Sequence, residues 1–440
     1  MKNLSPKQLF RFISNHGAVA REQHRRLVTY RAEPGTFMPR QLDLRSGKPV
    51  WSAYRSPAVP AERLTRDAKT DVLIVGMGIS GAMIAEALTR DGHAVICLDR
   101  RGPLQGSPAA TTALVAFEID QPLTRLSRMI GGDAARQAWI RSRLSLLNLR
   151  GRIAELDIRC RSAETPSLYL AGNRLDAPEL HSEAEARREA GIGASFLPRK
   201  KLREDFGIER AAAILSHGNL ALDPRKLTSG LLMRALLGKA RFYAPAEATA
   251  IDDTRLGVTV ATRHGPVIKA RHLVLTTGYE LLDIVPKMRH RIISTWAIAT
   301  RPQPEKIWPL AALIWEASDP YLYLRATSDG RVICGGEDEG FTDEERRDAL
   351  TAQKTDRLEE KLGKIFPRLD TAAEFAWTGS FGATDTGLPI IGSVPGHARV
   401  HAVMGYGGNG ITFSQIASEI VSASIAGKED ADASLFAFKR

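Results

Sequence analysis

The fold is decided by residues 71–101, which read DVLIVGMGISGAMIAEALTRDGHAVICLDRR. The four apolar residues 72–75 are typical of a strand that is buried on both faces, as in a parallel sheet. A glycine-rich turn follows at once, and apolar residues then recur at helical spacing. A second apolar run, residues 94–98, completes a strand–helix–strand unit. The stretch therefore predicts the opening unit of a parallel-sheet α/β domain.

The turn in this unit has three glycines in the spacing G-x-G-x-x-G: Gly76, Gly78 and Gly81. The first permits a tight turn, the second lets a pyrophosphate approach the backbone, and the third lets the helix pack on the strand. Asp99 ends the second strand, where it can accept hydrogen bonds from ribose hydroxyls, which favours FAD or NAD over NADP. A glycine-rich turn that binds nothing is the weaker interpretation, because the whole unit is present.

A second G-x-G-x-x-G loop lies in residues 404–413, MGYGGNGITF, with its glycines at Gly405, Gly407 and Gly410. A second dinucleotide site would need a further strand with a terminal acid about 20 residues later, whereas residues 426–436 read AGKEDADASLF. The start of the following helix can still stabilise the negative charge of a reduced flavin. We therefore expect one long cofactor, FAD, with its pyrophosphate at the first loop and its ring at the second.

Composition narrows the class of protein. With 440 residues and 43% hydrophobic content, the chain is long enough for two or three globular domains. It has no apolar run of about 18 residues and no secretory signal, so we expect a cytoplasmic protein. The three cysteines, Cys97, Cys160 and Cys334, form no C-x-x-C pair, so we expect buried thiols and no metal site.

The net charge of +11 is concentrated at the start of the chain. Residues 1–70 contain fourteen Lys and Arg against five Asp and Glu, whereas the rest is nearly balanced. Such a basic arm suits an acidic surface, whether lipid headgroups, a partner protein or RNA. The alternative, which we favour, is a solvated extension. Residues 50–64, rich in Pro and aromatic residues, predict an extended lead-in on the surface.

The rest of the chain alternates helical and strand patterns. Residues 131–158 predict a long amphipathic helix, and Asp223 followed by Pro224 predicts the start of another. Residues 197–207, LPRKKLREDFG, predict a turn-rich connection. Three stretches alternate with period two and predict an antiparallel sheet: residues 292–302, 321–327 and 331–337.

Several segments together resemble the FAD-dependent D-amino acid oxidase superfamily, in the branch with glycine oxidase, sarcosine oxidase and gamma-glutamylputrescine oxidase. Besides residues 71–101 they are GSPAATTALVAFEID (106–120), ALDPRKL (221–227), ARHLVLTTG (270–278), DGRVICGGEDE (329–339), WTGSFGATDTGLPIIG (377–392) and MGYGGNGITFS (404–414). The resemblance covers the chain from Trp51 onward. It implies an α/β protein, α+β overall, with a Rossmann-type FAD-binding domain interleaved with an antiparallel-sheet substrate domain. The implied segments are an arm and lead-in at 1–70, FAD-binding parts at 71–157, 222–287 and 379–440, and substrate-domain parts at 158–221 and 288–378.

The resemblance also implies an activity: oxidation of a C–N bond of a small amine or amino-acid derivative to an imine, by hydride transfer to flavin. The expected electron acceptor is oxygen, a quinone or a carrier protein. Two alternatives stay open. One is a dehydrogenase peripheral to the inner membrane that passes electrons to quinone, and the other is a flavin domain that acts on modified tRNA, with nucleic acid the less expected partner.

Cofactor residues follow from the resemblance, motif by motif. The first loop and Asp99 would hold the ADP half, residues 106–113 would lie near the phosphates or the ring, and the second loop would border the flavin pyrimidine. The implied FAD contacts are Gly76, Gly78, Ile79, Ser80, Gly81, Asp99, Arg100, Arg101, Gly106, Ser107, Thr111, Thr112, Ala113, Thr277, Gly278, Gly379, Gly405, Gly408, Asn409, Gly410, Ile411 and Thr412.

Four positions depart from the sarcosine oxidase-like pattern. Thr412 and Ala116 stand where a lysine and an arginine hold the substrate carboxylate, so an amine whose acid group is remote or absent is expected over a simple amino acid. Ile333 stands where a lysine activates oxygen, so electron transfer to a quinone or carrier protein is expected. Gly379 stands where a cysteine links to flavin, so FAD should be noncovalent.

The substrate pocket has five candidate residues: Glu337, Tyr323, Trp296, Tyr406 and Asn409, with Tyr321 beside them. Glu337 follows Gly-Gly in a predicted strand, where a carboxylate suits a substrate ammonium; the alternative is an ordinary acid at a strand end. The aromatic rings suit a pocket wall, although aromatic residues in strands more often belong to the core. No dedicated base is expected, because enzymes of this family mainly orient a neutral amine over the flavin.

Overall fold

The computed structural model describes residues 45–55, 58–280, 282–286 and 290–438. Most of the basic arm, residues 1–44, therefore lies outside the described residues. The strands are β1 (Arg45–Gly47), β2 (Ala68–Val75), β3 (Val95–Leu98), β4 (Leu114–Val115), β5 (Ala163–Leu170), β6 (Ala194–Pro198), β7 (Ala212–Ala221), β8 (Arg241–Tyr243), β9 (Ala248–Thr254), β10 (Gly257–Thr262), β11 (Val267–Leu275), β12 (His290–Thr300), β13 (Leu313–Glu316), β14 (Leu322–Ala326), β15 (Val332–Glu339), β16 (Ala373–Thr384), β17 (Ile390–Val394) and β18 (His397–Met404). The helices are α1 (Ile79–Arg90), α2 (Leu123–Ile130), α3 (Gly132–Glu155), α4 (Ala177–Glu189), α5 (Arg199–Phe206), α6 (Pro224–Leu237), α7 (Glu344–Ala349), α8 (Thr351–Ile365) and α9 (Gly410–Ile425).

The first sheet has eight strands and contains the predicted strand–helix–strand unit. Strands β18, β11, β2, β3 and β8 are parallel neighbours in that order. β17 pairs antiparallel with β18, and β10 pairs antiparallel with both β11 and β9. The central strand β2 is fully buried at residues 72–74, which explains its continuous apolar run. The predicted Rossmann-type sheet is confirmed.

The second sheet has ten strands, in the order β1, β16, β12, β15, β14, β13, β5, β7 and β4, with β6 also paired to β7. β12, β14 and β15 pair antiparallel, as predicted. Side chains along β12 alternate between two cores. Trp296 and Ile298 pack in a core with Leu358 of α8, whereas Ala297 and Ala299 belong to the core shared with the first sheet. One face of this sheet therefore lies against α8 and the other faces the glycine loops.

The prediction of a surface lead-in over residues 50–64 is wrong at its start, because Val50 and Trp51 are buried, and a strand that was not predicted precedes it. Residues 45–47 form an edge strand, in which Arg45 lies opposite Gly379 of β16. Val50 and Trp51 are buried, and the Trp51 Nε1 atom donates a hydrogen bond to the Thr111 carbonyl oxygen (2.6 Å). A local sequence pattern did not reveal this strand because its partner lies far along the chain.

The turn-rich connection predicted for residues 197–207 is also wrong, because most of it forms helix α5. Leu202 and Phe206, one turn apart, are both buried, and Lys201 pairs with Asp205 at 2.8 Å. Gly207 ends the helix with a left-handed conformation (φ 69°). The sequence analysis did not recognise this amphipathic helix because the stretch is highly charged and only two of its side chains are buried.

Other local predictions are confirmed. Helix α3 occupies most of residues 131–158, and α6 begins directly after Asp223. The Asp223 carboxylate accepts hydrogen bonds from the backbone N–H groups of Arg225 (3.0 Å) and Lys226 (3.2 Å). All three cysteines are free and buried, and burial raises the pKa of the Cys97 and Cys334 thiols, which therefore stay protonated.

The two sheets are built from interleaved stretches of chain, but sheet membership does not follow the predicted segments everywhere. β4 lies in the first FAD-binding segment and pairs with β7 of the ten-stranded sheet. The predicted limit between residues 378 and 379 falls inside β16. The limits of the six segments therefore stay a prediction. Within the described ranges, no helix combines the length and the apolar character needed to cross a bilayer.

A buried histidine in β18 makes the fold sensitive to acid. His401 is 1% exposed and neither ring nitrogen has a hydrogen-bond partner among the described residues. Burial and the neighbouring His272 lower its pKa from 6.5 to about 4. Below pH 6.5 the unfolded chain binds this proton and the folded chain does not, so roughly 3 kcal/mol of folding stability is lost as the pH falls toward 4.

We expect His401→Leu to remove most of this acid sensitivity. The melting temperature of the variant should fall less than that of the parent protein between pH 7 and pH 5, measured by circular dichroism. His181→Gln is the matched control, because His181 is about half exposed. Equal acid sensitivity of parent and His401→Leu would contradict the assignment.

Candidate functional site

The first glycine loop is packed so closely that it needs glycine. Gly76 has a φ of 114°, and a side chain there would lie 2.8 Å from the Thr276 hydroxyl oxygen and closer still to the Thr276 carbonyl. A side chain at Gly81 would overlap the Gly76 carbonyl oxygen. Thr276 Oγ1 donates hydrogen bonds to the carbonyl oxygens of Val75 (3.0 Å) and Gly76 (3.1 Å). Thr276, which directly follows β11, therefore fixes the position of the turn. The sequence analysis did not select this residue.

Space for a pyrophosphate lies above the middle of this loop. Gly78 precedes α1, and a side chain there would meet only Pro108, at 3.9 Å. Asp99 follows β3, and its carboxylate accepts hydrogen bonds from the backbone N–H groups of Met77 and Arg101, both at 2.8 Å. An ADP group needs N–H donors for its phosphates and an acceptor for its ribose hydroxyls. The open loop at Gly78 with the start of α1 can supply the donors, and the Asp99 carboxylate can supply the acceptor.

The two arginines predicted to flank the ADP half have another partner. Arg100 and Arg101 both form ion pairs with Glu280, which follows β11. The two guanidinium groups share this one carboxylate, and the structure gives no direct support for a phosphate contact. Thr277 and Gly278, with φ 66° at Gly278, lie between β11 and this glutamate.

The second glycine loop is tied to the segment 116–120. Gly405 and Gly407 have left-handed conformations, with φ of 68° and 54°. Three hydrogen bonds join the loop and the start of α9 to the segment: Asn409 Nδ2 to the Glu118 carbonyl (2.5 Å), Thr412 Oγ1 to the Ala116 carbonyl (2.7 Å), and Gly408 N to the Asp120 carboxylate (2.9 Å). Asn409 and Thr412 thus position the loop, as does Asp120, which the sequence analysis did not select.

The two loops are joined to each other through Ser80. Its hydroxyl shares hydrogen bonds with the Tyr406 hydroxyl and the Ser414 hydroxyl, both at 2.8 Å. The starts of α1 and α9 therefore lie side by side. Tyr406 is 6% exposed and its hydroxyl is engaged in this contact, so the geometry does not support its predicted place in the substrate pocket.

A short segment, residues 110–113, lies between the two sheets and is held by buried donors. Trp377 Nε1 donates to the Ala110 carbonyl (2.7 Å), Trp51 Nε1 to Thr111, and Arg325 Nη1 to Ala113 (2.7 Å). Arg325 is almost fully buried, and this desolvation lowers its pKa to about 10. Ala113 has a positive φ of 57°. The resemblance places the flavin ring beside this segment.

A polar cleft lies on the face of the ten-stranded sheet that points toward the loops. Tyr323 crosses this face, where a side chain at Gly335 would overlap its ring, and its hydroxyl lies 3.3 Å from Thr295 Oγ1. Tyr321 and Tyr323 keep some accessible area, yet desolvation raises the pKa of both phenols. The two rings pack against each other, with centres 5.5 Å apart, so both stay candidates for the wall of a substrate pocket.

Glu337 faces away from this cleft, contrary to prediction. Its carboxylate pairs with three cations of α8: Lys354 (3.2 Å), Arg357 (3.3 Å) and Lys361. Burial opposes ionisation of Glu337, but Lys361 and Lys354 outweigh it and lower the pKa. The cause is a β-bulge: Ser294 and Trp296 of β12 lie opposite Glu339 and Gly336 of β15, so β15 has one extra residue here. Glu337 adopts φ 58° in the bulge.

Trp296 also lies outside the cleft. It is 2% exposed, its Nε1 atom donates to the Arg347 carbonyl (3.1 Å), and the Lys354 ammonium lies 4.7 Å from its ring centre. These contacts are all on the α8 side of the sheet. The prediction of a pocket role for Trp296 is therefore not supported, and the alternative of a core aromatic residue describes it.

The bulge turns Asp338 into the cleft instead. Both carboxylate oxygens are buried without a hydrogen-bond partner among the described residues. Desolvation raises the pKa of Asp338 to about 7, although Thr295 and Tyr321 lie close enough to favour the charged form. Asp120, which accepts a hydrogen bond from the Gly408 N–H group, keeps an exposed surface, yet desolvation by the surrounding protein raises its pKa to about 6. Sequence reasoning missed both, because strict alternation along β15 selects Glu337.

Two known proteins are similar to this chain in sequence. A Bacillus subtilis protein named as a Rieske 2Fe-2S iron-sulfur protein is 26% identical over 254 residues, which are 57% of this chain and 48% of the relative. The tRNA 5-methylaminomethyl-2-thiouridine biosynthesis bifunctional protein of Cupriavidus necator is 24% identical over 443 residues, 90% of this chain and 63% of the relative. The chain thus spans about half to under two thirds of the length of these relatives.

Solved structures show the same fold. Glycine oxidase from Geobacillus kaustophilus has a TM-score of 0.71 at 21% identity and covers 85% of this chain and 99% of its own. L-amino acid deaminase from Proteus myxofaciens has a TM-score of 0.70 at 14% identity and covers 92% of this chain and 100% of its own. The family model described as FAD dependent oxidoreductase, DAO, matches residues 71–424, which include both glycine loops and the cleft. The chain belongs to the DAO family of FAD-dependent oxidoreductases.

Proposed function

We propose that the two glycine loops hold one FAD and that the protein oxidises a C–N bond of a small amine. The observation that carries the proposal is the hydrogen-bonded junction at Ser80, which makes the two loops one continuous cradle. The cradle borders a cleft with polar side chains on the opposite sheet, as a bound substrate requires. The solved relatives named above as an oxidase and a deaminase of amino acids support the reaction class.

In this proposal FAD, when bound, supplies the acceptor for a hydride from the carbon that carries nitrogen. The chain's own residues bind and orient the amine. Tyr321, Tyr323 and Thr295 provide hydroxyls along one wall. Although the sequence analysis expects no dedicated base, in this proposal Asp338 accepts a proton from the substrate ammonium, which frees the nitrogen lone pair. A carboxyl with a pKa near 7 is better matched to this transfer at neutral pH than an ordinary one.

The electron acceptor is proposed to be a carrier protein or a quinone. Ile333, at the position where the resemblance expects an oxygen-activating lysine, is fully buried in β15 and supplies no charge. The Bacillus subtilis relative is named for an iron-sulfur centre, which supports a one-electron carrier. A cytoplasmic location, and attachment to the inner membrane through the basic arm where a quinone is the acceptor, are both part of this proposal.

A tRNA substrate is the second candidate, because the Cupriavidus necator relative is named for tRNA biosynthesis and matches 90% of this chain. Residues 1–70 also carry an excess of basic side chains. A mobility shift with total tRNA that weakens as salt rises would support this candidate. The amine proposal requires no such shift.

The cradle predicts that Gly81→Ala loses FAD. The added methyl group would overlap the Gly76 carbonyl oxygen and move the start of α1 away from β2. We expect the affinity for FAD, measured by flavin fluorescence on titration of the deflavinated protein, to fall about tenfold or more. Gly151→Ala in α3 is the matched control, since open space surrounds Gly151. Unchanged affinity in Gly81→Ala would refute the cradle.

The acceptor proposal predicts slow reaction with oxygen. Protein reduced anaerobically by an amine should regain its flavin absorbance rapidly with a soluble quinone or ferricenium and slowly with dissolved oxygen, in a stopped-flow experiment. The resemblance implies that position 333 would lie beside a bound flavin ring, so Ile333→Lys should increase the oxygen rate, because an ammonium there would stabilise the developing negative charge on oxygen. Rapid reoxidation of the parent protein by oxygen would show that it is an oxidase.

A further inference from the structure

A cavity of about 130 Å³ lies between the lead-in and the ten-stranded sheet. Trp51 and Tyr54 contribute two aromatic rings, and the ends of β5, β7 and β14, with the residues that follow β7 and β14, contribute most of the remaining wall. The described residues of the two glycine loops and of segment 110–113 do not line it. The family model begins at residue 71, so the lead-in precedes the matched region. This cavity is therefore separate from the FAD cradle.

Two guanidinium groups border the cavity. The Arg161 Cζ atom lies 5.2 Å from the centre of the Tyr54 ring, and the Arg161 Nη1 atom donates to the Ser328 hydroxyl (3.3 Å). The Arg325 Cζ atom lies 5.7 Å from the centre of the Trp51 ring. The two ring centres are 6.1 Å apart, and all five residues line the cavity. Both positive charges are therefore stacked on adjacent walls of one space.

The turn before α6 connects the two arginines. The Arg325 Nη1 atom donates to the Leu222 carbonyl (3.0 Å), and the next residue, Asp223, donates its backbone N–H to the Cys160 carbonyl (2.8 Å). Arg161 directly follows Cys160. Two hydrogen bonds thus hold the segments that carry the arginines on either side of the same turn. The cavity is preorganised and does not depend on a loop closing over it.

The backbone of the cavity wall is strained. Arg161 and Ala311 both line the cavity and adopt left-handed conformations, with φ of 55° and 45°, and Leu310 beside them has φ 61°. Residues other than glycine rarely adopt this conformation, and they keep it where the surrounding structure holds them, often at ligand sites. The strain supports a wall whose shape is maintained for binding.

The accessible charge of the cavity is positive. Arg325 donates from Nε and Nη1 to backbone carbonyls, and no described residue accepts a hydrogen bond from its Nη2 atom. Neither Arg161 nor Arg325 forms an ion pair within the described ranges. Asp223 is the one acid among the lining residues, but its Oδ1 atom caps α6 and its Oδ2 atom has almost no accessible surface. A buried guanidinium without a counter-charge is costly, and an anion offsets that cost.

We propose that this cavity binds a small monoanionic carboxylate, with its oxygens on the Arg161 and Arg325 guanidinium groups and its short apolar chain against the Trp51 ring. The N–H donors of a guanidinium group match the two oxygens of a carboxylate. Two guanidinium groups and one buried carboxylate leave a single positive charge, which a monoanion neutralises. The inference goes beyond the proposed amine oxidation and does not depend on it.

The size of the cavity limits the ligand. One water molecule takes about 30 Å³ in the liquid, so the space holds roughly four waters. Propionate is of this size, whereas a nucleotide or a drug-sized acid is too large.

Four probes of similar size test the ligand class by calorimetry on the holoprotein. Propionate has the expected charge and chain, propylamine reverses the charge, alanine adds an ammonium, and inorganic phosphate adds charge and lacks the chain. We expect a dissociation constant for propionate at least about tenfold below those of the other three. Equal or tighter binding of any of them would overturn the class, and absence of propionate binding would overturn the site.

Arg161→Gln tests the location of the site. The dissociation constant of propionate should rise about tenfold or more, because one of the two cations is lost. Arg159→Gln is the matched control, since Arg159 lies two residues away with its side chain 90% exposed and does not line the cavity. Equal effects of the two substitutions would show that only general surface charge matters.

Ala163→Leu tests the location without changing charge. Ala163 lines the cavity from the exposed start of β5, so a larger side chain there should occupy the space and weaken propionate binding about tenfold or more. Ala154→Leu, at an exposed position of α3 outside the cavity, is the control. Unchanged binding in both Arg161→Gln and Ala163→Leu would place propionate elsewhere, such as the cleft beside the flavin, and would overturn the inference.

Discussion

The two sheets are coupled by buried hydrogen bonds to residues 110–113. Carbonyl oxygens in this segment have no strand partner, and leaving one unsatisfied would cost about 1–3 kcal/mol. Their donors come from three distant places: Trp51 in the lead-in, Arg325 in β14 and Trp377 in β16. The ten-stranded sheet therefore sets the position of this segment as much as the glycine loops do.

The parts of the fold that local chemistry determines were predictable. The buried parallel strands follow from uninterrupted apolar runs, and the start of α6 follows from Asp223 and Pro224. Elements that depend on distant partners were not predictable: β1 needs β16 beside it, and α5 exposes most of its charged side chains. In both cases the decisive contact is made by residues that no short window of sequence contains.

The same division holds for the site. Gly76 and Gly81 are specified by close backbone packing, so their spacing in the sequence was enough to find them. The position of Asp338 depends on a bulge, which shifts the side-chain pattern by one position. Gly335 and Gly336 are its signal in the sequence, because glycine inside a strand often marks a bulge, but the sequence analysis used strict alternation instead. The expected Glu337 and the observed Asp338 are neighbours, but they lie on opposite faces of the sheet. Acids in this stretch are common, and only the backbone distinguishes them.

Strand β1 has a consequence for solubility. It is three residues long and pairs with residues 377–379 in the middle of β16, a strand of twelve residues, whose backbone groups there would otherwise be open to pairing. Short edge strands protect sheets from joining edge to edge with other molecules. Proteolytic cleavage after Gly47 that releases residues 45–47 would uncover that edge and favour self-association of otherwise intact molecules. Residues 45–47 of the basic arm thus affect whether the protein stays soluble or self-associates.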